Sequence, residues 1–228
     1  MGKNDNGNNG RTELVFVVDR SGSMGGLESD TIGGFNSMLS KQRTIAGECR
    51  VTTLLFDHRI ETLHNHLDIR EVNDLTSRDY WVRGSTALLD AIGLAIDRMI
   101  VTQRHTAAAY RAQHVLFVII TDGYENASRR YSLHQIKQMI TYERERYHWE
   151  FVFLGANIDA EQTAGDFGIS PRCATDFHAD GQGIKASFEA VAWAAPAVRG
   201  GADLDDLSAP DFLGGVRDDY RSRRRMKR

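Results

Sequence analysis

The chain has 228 residues, of which 41% are hydrophobic and 26% charged, so it is long and apolar enough for one α/β core. The formal net charge of −3 hides an asymmetry, because residues 221–228 carry six basic side chains and no acid, which leaves 22 basic and 31 acidic groups in residues 1–220. Two cysteines without metal-type spacing argue against a disulfide framework and for a reducing compartment. No apolar run approaches the roughly 20 residues of a membrane span, and the N-terminus lacks the apolar core of a secretory signal. We therefore expect a soluble, cytoplasmic protein without membrane contact.

Apolar strands and amphipathic helices alternate along the chain, after a polar segment, 1–11, that we expect to be disordered. Strands are predicted over residues 14–18, 50–57 with a hairpin partner at 58–64, 114–121, 149–156 and 172–177. Helices are predicted over residues 30–46, 88–103, 133–147, 161–167 and 183–198. This alternation predicts an α/β fold with a doubly wound, mostly parallel sheet and helices on both faces. Residues 200–228 lack periodicity and are expected to form a flexible, basic tail after a domain at 12–199.

Small oxygen-bearing side chains follow two of the predicted strands. The first apolar strand runs directly into Asp19, Ser21 and Ser23, and the strand at 114–121 runs into Asp122. Between them, Thr86 lies in a glycine turn that leads into a helical pattern. Buried parallel strands deliver such residues to the carboxyl edge of the sheet, where α/β folds bind ligands. Hydroxyl and carboxylate oxygens suit Mg²⁺, Mn²⁺ or Ca²⁺ and suit zinc or copper poorly.

These residues resemble the metal-ion-dependent adhesion site of von Willebrand factor type A domains. All five positions of that motif are present, as Asp19-x-Ser21-x-Ser23, Thr86 in Gly-Ser-Thr-Ala-Leu and Asp122 in Thr-Asp-Gly. The resemblance covers roughly residues 12–190 and implies a Rossmann-like sheet with one antiparallel edge strand. It also implies that the two serines bind the ion directly and that the threonine binds it directly or through water. The two acids are then expected to hold bound waters and to orient the serines.

The function implied by the resemblance is protein–protein interaction. A Mg²⁺ ion (or Mn²⁺ or Ca²⁺) held by neutral hydroxyls keeps most of its charge and attracts an Asp or Glu carboxylate of a partner. We expect an intracellular module of bacterial or phage-like type, similar to von Willebrand A proteins that act as adaptors for ATPases or stress-response assemblies. The loop residues expected to contact the partner are Gly22, Met24, Gly84, Ser85, Gly123 and Glu125.

An enzyme is not expected. Phosphotransferases of the haloacid dehalogenase type also begin with a buried strand that ends in Asp, but they need a second acid two residues later. Ser21 occupies that position here, and its hydroxyl is not an acid–base group near neutral pH.

Several alternatives remain open at this point. The basic residues of 221–228 could bind nucleic acid, since some members of the resembled family bind RNA. His58, His64 and His66 lie on one predicted hairpin and could ligate zinc. Glu125 and Asn126, just after Asp122, could tune the ion or contact the partner, or they could equally be turn residues before a helix. Arg20, inside the metal loop, would lower metal affinity unless its side chain points away.

Overall fold

The computed structural model describes residues 10–206 and 208–226, which contain one six-stranded sheet in the order β3-β2-β1-β4-β5-β6. The strands are β1 (Thr12–Asp19), β2 (Cys49–Phe56), β3 (Ile60–Asp68), β4 (His114–Asp122), β5 (Glu150–Ala156) and β6 (Ala174–Asp176). The helices are α1 (Glu28–Arg43), α2 (Leu88–His105), α3 (Leu133–Tyr147), α4 (Ala160–Asp166), α5 (Gly181–Arg199) and α6 (Gly214–Met226).

The central strands form because their sequences are apolar without alternation. Every residue of β1 is buried, as are all residues of β4 after its first, which is typical of strands covered on both faces. All neighbouring strands pair in parallel except β2 and β3, which form an antiparallel hairpin at one edge. The predicted fold class, a mostly parallel Rossmann-like sheet with one antiparallel edge strand, is therefore confirmed.

Helices flank the sheet in two packed pairs, α1 with α5 and α2 with α3. Between the sheet and the first pair, the ring of Phe35 lies 5.3 Å from that of Phe16 in β1 and 6.2 Å from that of Phe188 in α5. The buried Arg199 donates to the carbonyls of Gln42 and Ile45, at 2.9 and 3.0 Å. The end of α5 is thereby fixed to the end of α1.

The structure differs from the sequence prediction in the segment expected to be a flexible tail. Four of its apolar side chains are buried against the domain, namely Leu204, Phe212, Leu213 and Val216. Helix α6 packs on α5 and β6, and Arg217 donates to the carbonyls of Pro171, Arg172 and Ala174 at 3.0–3.1 Å. The prediction of a loose segment was wrong for these residues, because a few apolar anchors and one multiply bonded arginine hold a mostly polar helix.

The predicted disordered segment 1–11 lies outside the described residues except at its end. There, Gly10 is buried and Arg11 forms an ion pair with Glu48. Both cysteines, Cys49 and Cys173, are free and buried. None of the helices in the described ranges combines the length and apolar character needed to cross a membrane.

Candidate metal centre

The five residues of the predicted metal site lie at one edge of the sheet. Asp19 is the last residue of β1 and Asp122 the last residue of β4, and these strands are hydrogen-bonded neighbours. Ser21 and Ser23 follow β1 directly, and Thr86 lies two residues before the start of α2. The carboxyl ends of two adjacent parallel strands therefore bring three sequence segments together.

Three hydroxyl groups form the centre of this arrangement. The Oγ atoms of Ser21 and Ser23 are 3.0 Å apart, and Thr86 Oγ1 donates to Ser21 Oγ at 3.1 Å. A Cβ atom on Gly123 would lie 3.4 Å from Ser23 Oγ and 3.8 Å from Thr86 Oγ1, so the glycine leaves space beside the hydroxyls. Ser21 and Thr86 are buried whereas Ser23 is exposed. The cluster of three hydroxyls is therefore accessible to solvent on the side of Ser23.

Asp19 lies beneath the hydroxyls and is held by neutral donors. Its Oδ1 accepts from the backbone N–H of Ser21 at 2.7 Å, and its Oδ2 accepts from Thr121 Oγ1 at 2.7 Å. Burial raises the pKa of Asp19, and these hydrogen bonds oppose the rise only in part.

Asp122 is the second buried acid. Its Oδ1 accepts a hydrogen bond from the side-chain amide of Asn157. Burial raises the pKa of Asp122 and the nearby carboxylate of Asp19 raises it further, while the bond from Asn157 lowers it. Two carboxyl groups are therefore buried close together, and each is more basic than an ordinary aspartate.

These residues fit a divalent cation electrostatically. Within the described residues neither Asp19 nor Asp122 forms an ion pair. The side chain of Arg20, next to Asp19 in the sequence, points away from the site and bonds to Asp57 Oδ2 at 3.1 Å and to Glu61 Oε2 at 2.7 Å. Buried negative charge without a counter-ion is unfavourable, and a cation beside the hydroxyls would balance it. The donors are all oxygens, as Mg²⁺, Mn²⁺ and Ca²⁺ prefer.

The alternative zinc site on the hairpin finds no support in the geometry. His64 is buried and its Nδ1 lies 3.0 Å from Thr53 Oγ1, while His58 and His66 contact different acids, Asp57 and Glu13. Over the ranges that the structure covers, no group of three or more His, Cys, Asp or Glu side chains is arranged to hold a metal. The candidate metal centre is thus the hydroxyl-based site.

Four of the predicted partner-contact residues are accessible beside the hydroxyls. Gly22, Gly84 and Ser85 are exposed and Gly123 is half-buried, and their role in partner binding stays a prediction. Met24 is fully buried, so its assignment to the partner surface was wrong. Its side chain belongs to the apolar core, where the chain turns from the metal loop towards α1.

Glu125 uses its carboxylate within the chain. Oε2 accepts from the backbone N–H of Leu89 in α2, and Oε1 accepts from the N–H groups of Ala127 and Ser128, at 2.6–2.9 Å. Both oxygens are occupied in fixing the loop after β4 to the start of α2. Glu125 therefore acts as a turn residue, and its assignment to the partner-contact surface was wrong.

Several further residues support the site through hydrogen bonds. Asn126 Oδ1 accepts from the backbone N–H of Thr86 at 2.9 Å, and Tyr80 donates its hydroxyl proton to the carbonyl of Asp19 at 2.6 Å. With Asn157 and Thr121 they hold the loops in place. Asn126, four residues after Asp122, was predicted from the sequence to lie on the metal face, whereas the supporting roles of Thr121, Tyr80 and Asn157 were not predicted.

Comparison with known proteins supports the fold. No family model matches the sequence, and no curated protein does. Among solved structures, the vWF domain of a type V pili tip protein from Porphyromonas gingivalis is 11% identical, with a TM-score of 0.57 over 82% of this chain and 95% of that one. Manganese-loaded TRAP protein of Plasmodium vivax is 16% identical, with a TM-score of 0.52 over 78% of this chain and 72% of that one.

A third similar structure is proximal thread matrix protein 1 from the mussel byssus, solved with a zinc-occupied MIDAS motif. It is 13% identical with a TM-score of 0.55, and the match covers 82% of this chain but only 46% of the mussel chain. The present chain thus spans less than half the length of the mussel protein. At these identities the similarities establish the fold alone, which is that of von Willebrand A domains.

Proposed function

We propose that this chain is a metal-dependent protein-binding module that recognises an acidic residue of a partner through a divalent cation. One observation carries the proposal: three hydroxyls converge above two buried carboxyl groups that have no counter-ion among the described residues. Mg²⁺ is the expected ion, with Mn²⁺ or Ca²⁺ as substitutes, since all three prefer oxygen ligands.

The residues that would hold the ion have separate roles. Ser21, Ser23 and Thr86 would offer neutral oxygens, and Asp19 and Asp122 would supply negative charge from behind. When bound, the ion supplies a positively charged position that attracts a carboxylate. The backbone bonds from Gly22 N–H to Gly84 O, at 3.0 Å, and from Thr86 N–H to Asn126 keep the loops in register before any ligand arrives.

We propose a binding role rather than a catalytic one. Asp19 already accepts bonds from the chain, and Asp122 is bonded to Asn157, so both act as fixed supports. The manganese-loaded Plasmodium protein and the zinc-occupied mussel protein support the proposal that this chain binds a divalent metal. An ATPase or a stress-response assembly is the kind of partner that the sequence resemblance suggests.

The proposal is tested by affinity capture from an extract of the native host, in Mg²⁺ and in chelator. The bait is the full chain, and the matched control is the Ser21→Ala/Ser23→Ala double variant, which removes two hydroxyls and little volume. We expect proteins that are captured in Mg²⁺ by the wild type and lost both in chelator and with the variant. Proteins captured equally well in chelator and by the double variant would refute a metal-bridged contact.

A nucleic-acid-associated role for the basic residues of 221–228 stays a prediction. Of these residues, Arg223 pairs with Asp180 and Asp219 of the chain itself. Binding to phosphates would weaken steeply with salt and survive chelator, whereas a metal-bridged carboxylate contact would be abolished by chelator.

A further inference from the structure

A buried carboxylate beside the metal centre holds two arginines. Asp57, which directly follows β2, is fully buried, and its Oδ2 accepts from Arg20 Nε at 3.1 Å and from Arg83 Nε at 2.7 Å. Its Oδ1 lies 3.0 Å from His58 Nδ1. Arg20 is itself fully buried, whereas the side chain of Arg83 is 29% exposed. Asp57 thus fixes one arginine inside the protein and a second at its surface.

Arg83 is held at three points. Besides the bond from Nε to Asp57, its guanidinium lies over the ring of Trp81, 4.4 Å from the centroid, and its backbone N–H donates to the carbonyl of Arg20 at 2.9 Å. Within the described part of the chain, its terminal nitrogens Nη1 and Nη2 have no hydrogen-bond partner. Trp81 is 43% exposed, so this stacked pair faces solvent.

A guanidinium fixed in this way differs from an ordinary surface arginine. Most surface ion pairs are weak, partly because two long side chains must be ordered to form them. Here the ordering is already complete before a ligand binds, so less entropy is lost on association. The two free nitrogens form a planar fork, which matches the two oxygens of a carboxylate.

The position of Arg83 relates it directly to the metal centre. Arg83 is bonded through its backbone to Arg20, which lies between Asp19 and Ser21. Asp57 follows β2, the strand beside β1, and neighbouring strands lie about 4.8 Å apart. Arg83 and the hydroxyl group therefore occupy adjacent places on the same sheet edge.

We propose that Arg83 is a second anchor for the partner and binds a second carboxylate next to the one at the metal centre. The inference rests on the proposed function and specifies its ligand as a segment with two acidic side chains close together. In an extended peptide, residues i and i+2 point to the same side about 7 Å apart, so Glu-x-Glu or Asp-x-Asp fits two adjacent anchors.

The test uses two blocked peptides, acetyl-Gly-Glu-Gly-Glu-Gly-amide and acetyl-Gly-Glu-Gly-Gln-Gly-amide, titrated against the full chain in Mn²⁺ at fixed ionic strength. The one-carboxylate peptide is tested in both orders of Glu and Gln. We expect the wild type to bind the two-carboxylate peptide about tenfold more tightly, the size expected of one charge-assisted contact. In Arg83→Gln the ratio should fall below about twofold, and Arg83→Lys, which keeps the charge without the fork, should lie between.

Arg59→Gln is the matched control. Arg59 lies in the β2–β3 turn, two residues after Asp57, is exposed, and has no side-chain partner among the described residues, so its loss removes one charge without removing the anchor. The wild-type ratio should persist in this variant. Equal binding of the two peptides by the wild type, or an equal loss of preference in Arg59→Gln, would overturn the inference. Metal-dependent binding without preference would leave the proposed function standing, whereas no metal-dependent binding of either peptide would remove both.

Discussion

Asp57 has a structural role that no sequence pattern indicates. It is fully buried, and it is bonded to the fully buried Arg20 and to the partly exposed Arg83. Removing one partner of a buried ion pair leaves an uncompensated charge, which is more damaging than removing both. Asp57 is therefore expected to matter for stability as well as for the position of the metal loop.

We predict that Asp57→Asn lowers the free energy of unfolding by about 3 kcal/mol, because Arg20 stays buried with only Glu61 as a charged partner. Urea denaturation at neutral pH measures the change. Asp68→Asn is the control on the same hairpin, since Asp68 pairs with the exposed Arg70 and should contribute less than about 1 kcal/mol. Equal losses in the two variants would contradict a special role for Asp57.

At the residue scale, what could be predicted followed the spacing of the motif. Ser21, Ser23 and Thr86 were identified because strand ends and a glycine turn mark them, and the structure brings their hydroxyls together. Asn157 and Asp57 were missed because one amide and one acid in loops carry no pattern of their own. Their roles depend on which strands become neighbours, which only the fold determines.

At the scale of elements, α6 and the segment before it depart most from expectation. The helix is largely polar, so its sequence lacks the apolar periodicity that reveals α2 or α5. Its anchors lie mainly in the preceding loop, where Phe212 and Leu213 are buried. A short irregular pair of apolar residues has no helical periodicity, so the sequence does not predict that this segment packs on the domain.

Leu213→Ala should lower the free energy of unfolding by about 2–4 kcal/mol, since Leu213 is fully buried and its truncation leaves a cavity. Chemical denaturation followed by circular dichroism would measure it. Val101→Ala in α2 is a suitable control because Val101 is 52% exposed and should change stability little. A tail that contributes nothing to the core would instead make the two variants equal.

The same connection between α5 and α6 affects a titrating group at the start of β5. Burial raises the pKa of Glu150 to about 7, and the nearby carboxylates of Asp203 and Asp205 contribute to the rise. The folded protein therefore holds this proton at pH values where the unfolded chain has released it. It follows that this group lowers stability as pH rises from the ordinary glutamate range towards 7.

Glu150→Gln should remove that pH dependence. The variant is expected to match the wild type near pH 4.5, to become progressively more stable relative to it up to pH 7, and to exceed it by about 3 kcal/mol at pH 8. Thermal or urea unfolding across this pH range provides the measurement. Glu145→Gln, an exposed change in α3, controls for the loss of one negative charge. A wild-type advantage that grows with pH would reverse the sign and refute the account.

At the scale of the whole molecule, the architecture was predictable because its strongest signals are long and simple. The apolar runs of β1, β4 and β5 allow few partners other than a parallel sheet covered by helices. The hairpin of β2 and β3 also followed from the sequence, although β3 extends to Asp68, beyond its predicted end at residue 64. The order of the strands then places two acids and three hydroxyls at one edge.

Calorimetric titration of Mn²⁺ and Mg²⁺ into the full chain and into Asp122→Ala tests the central claim most directly. Asp166→Ala, which removes an exposed carboxylate from the end of α4, serves as the control. The account predicts saturable binding of one ion by the wild type and by Asp166→Ala, and at least tenfold weaker binding by a folded Asp122→Ala, on the order found when a supporting ligand is lost. No saturable binding by the wild type, or an unchanged titration in folded Asp122→Ala, would contradict it.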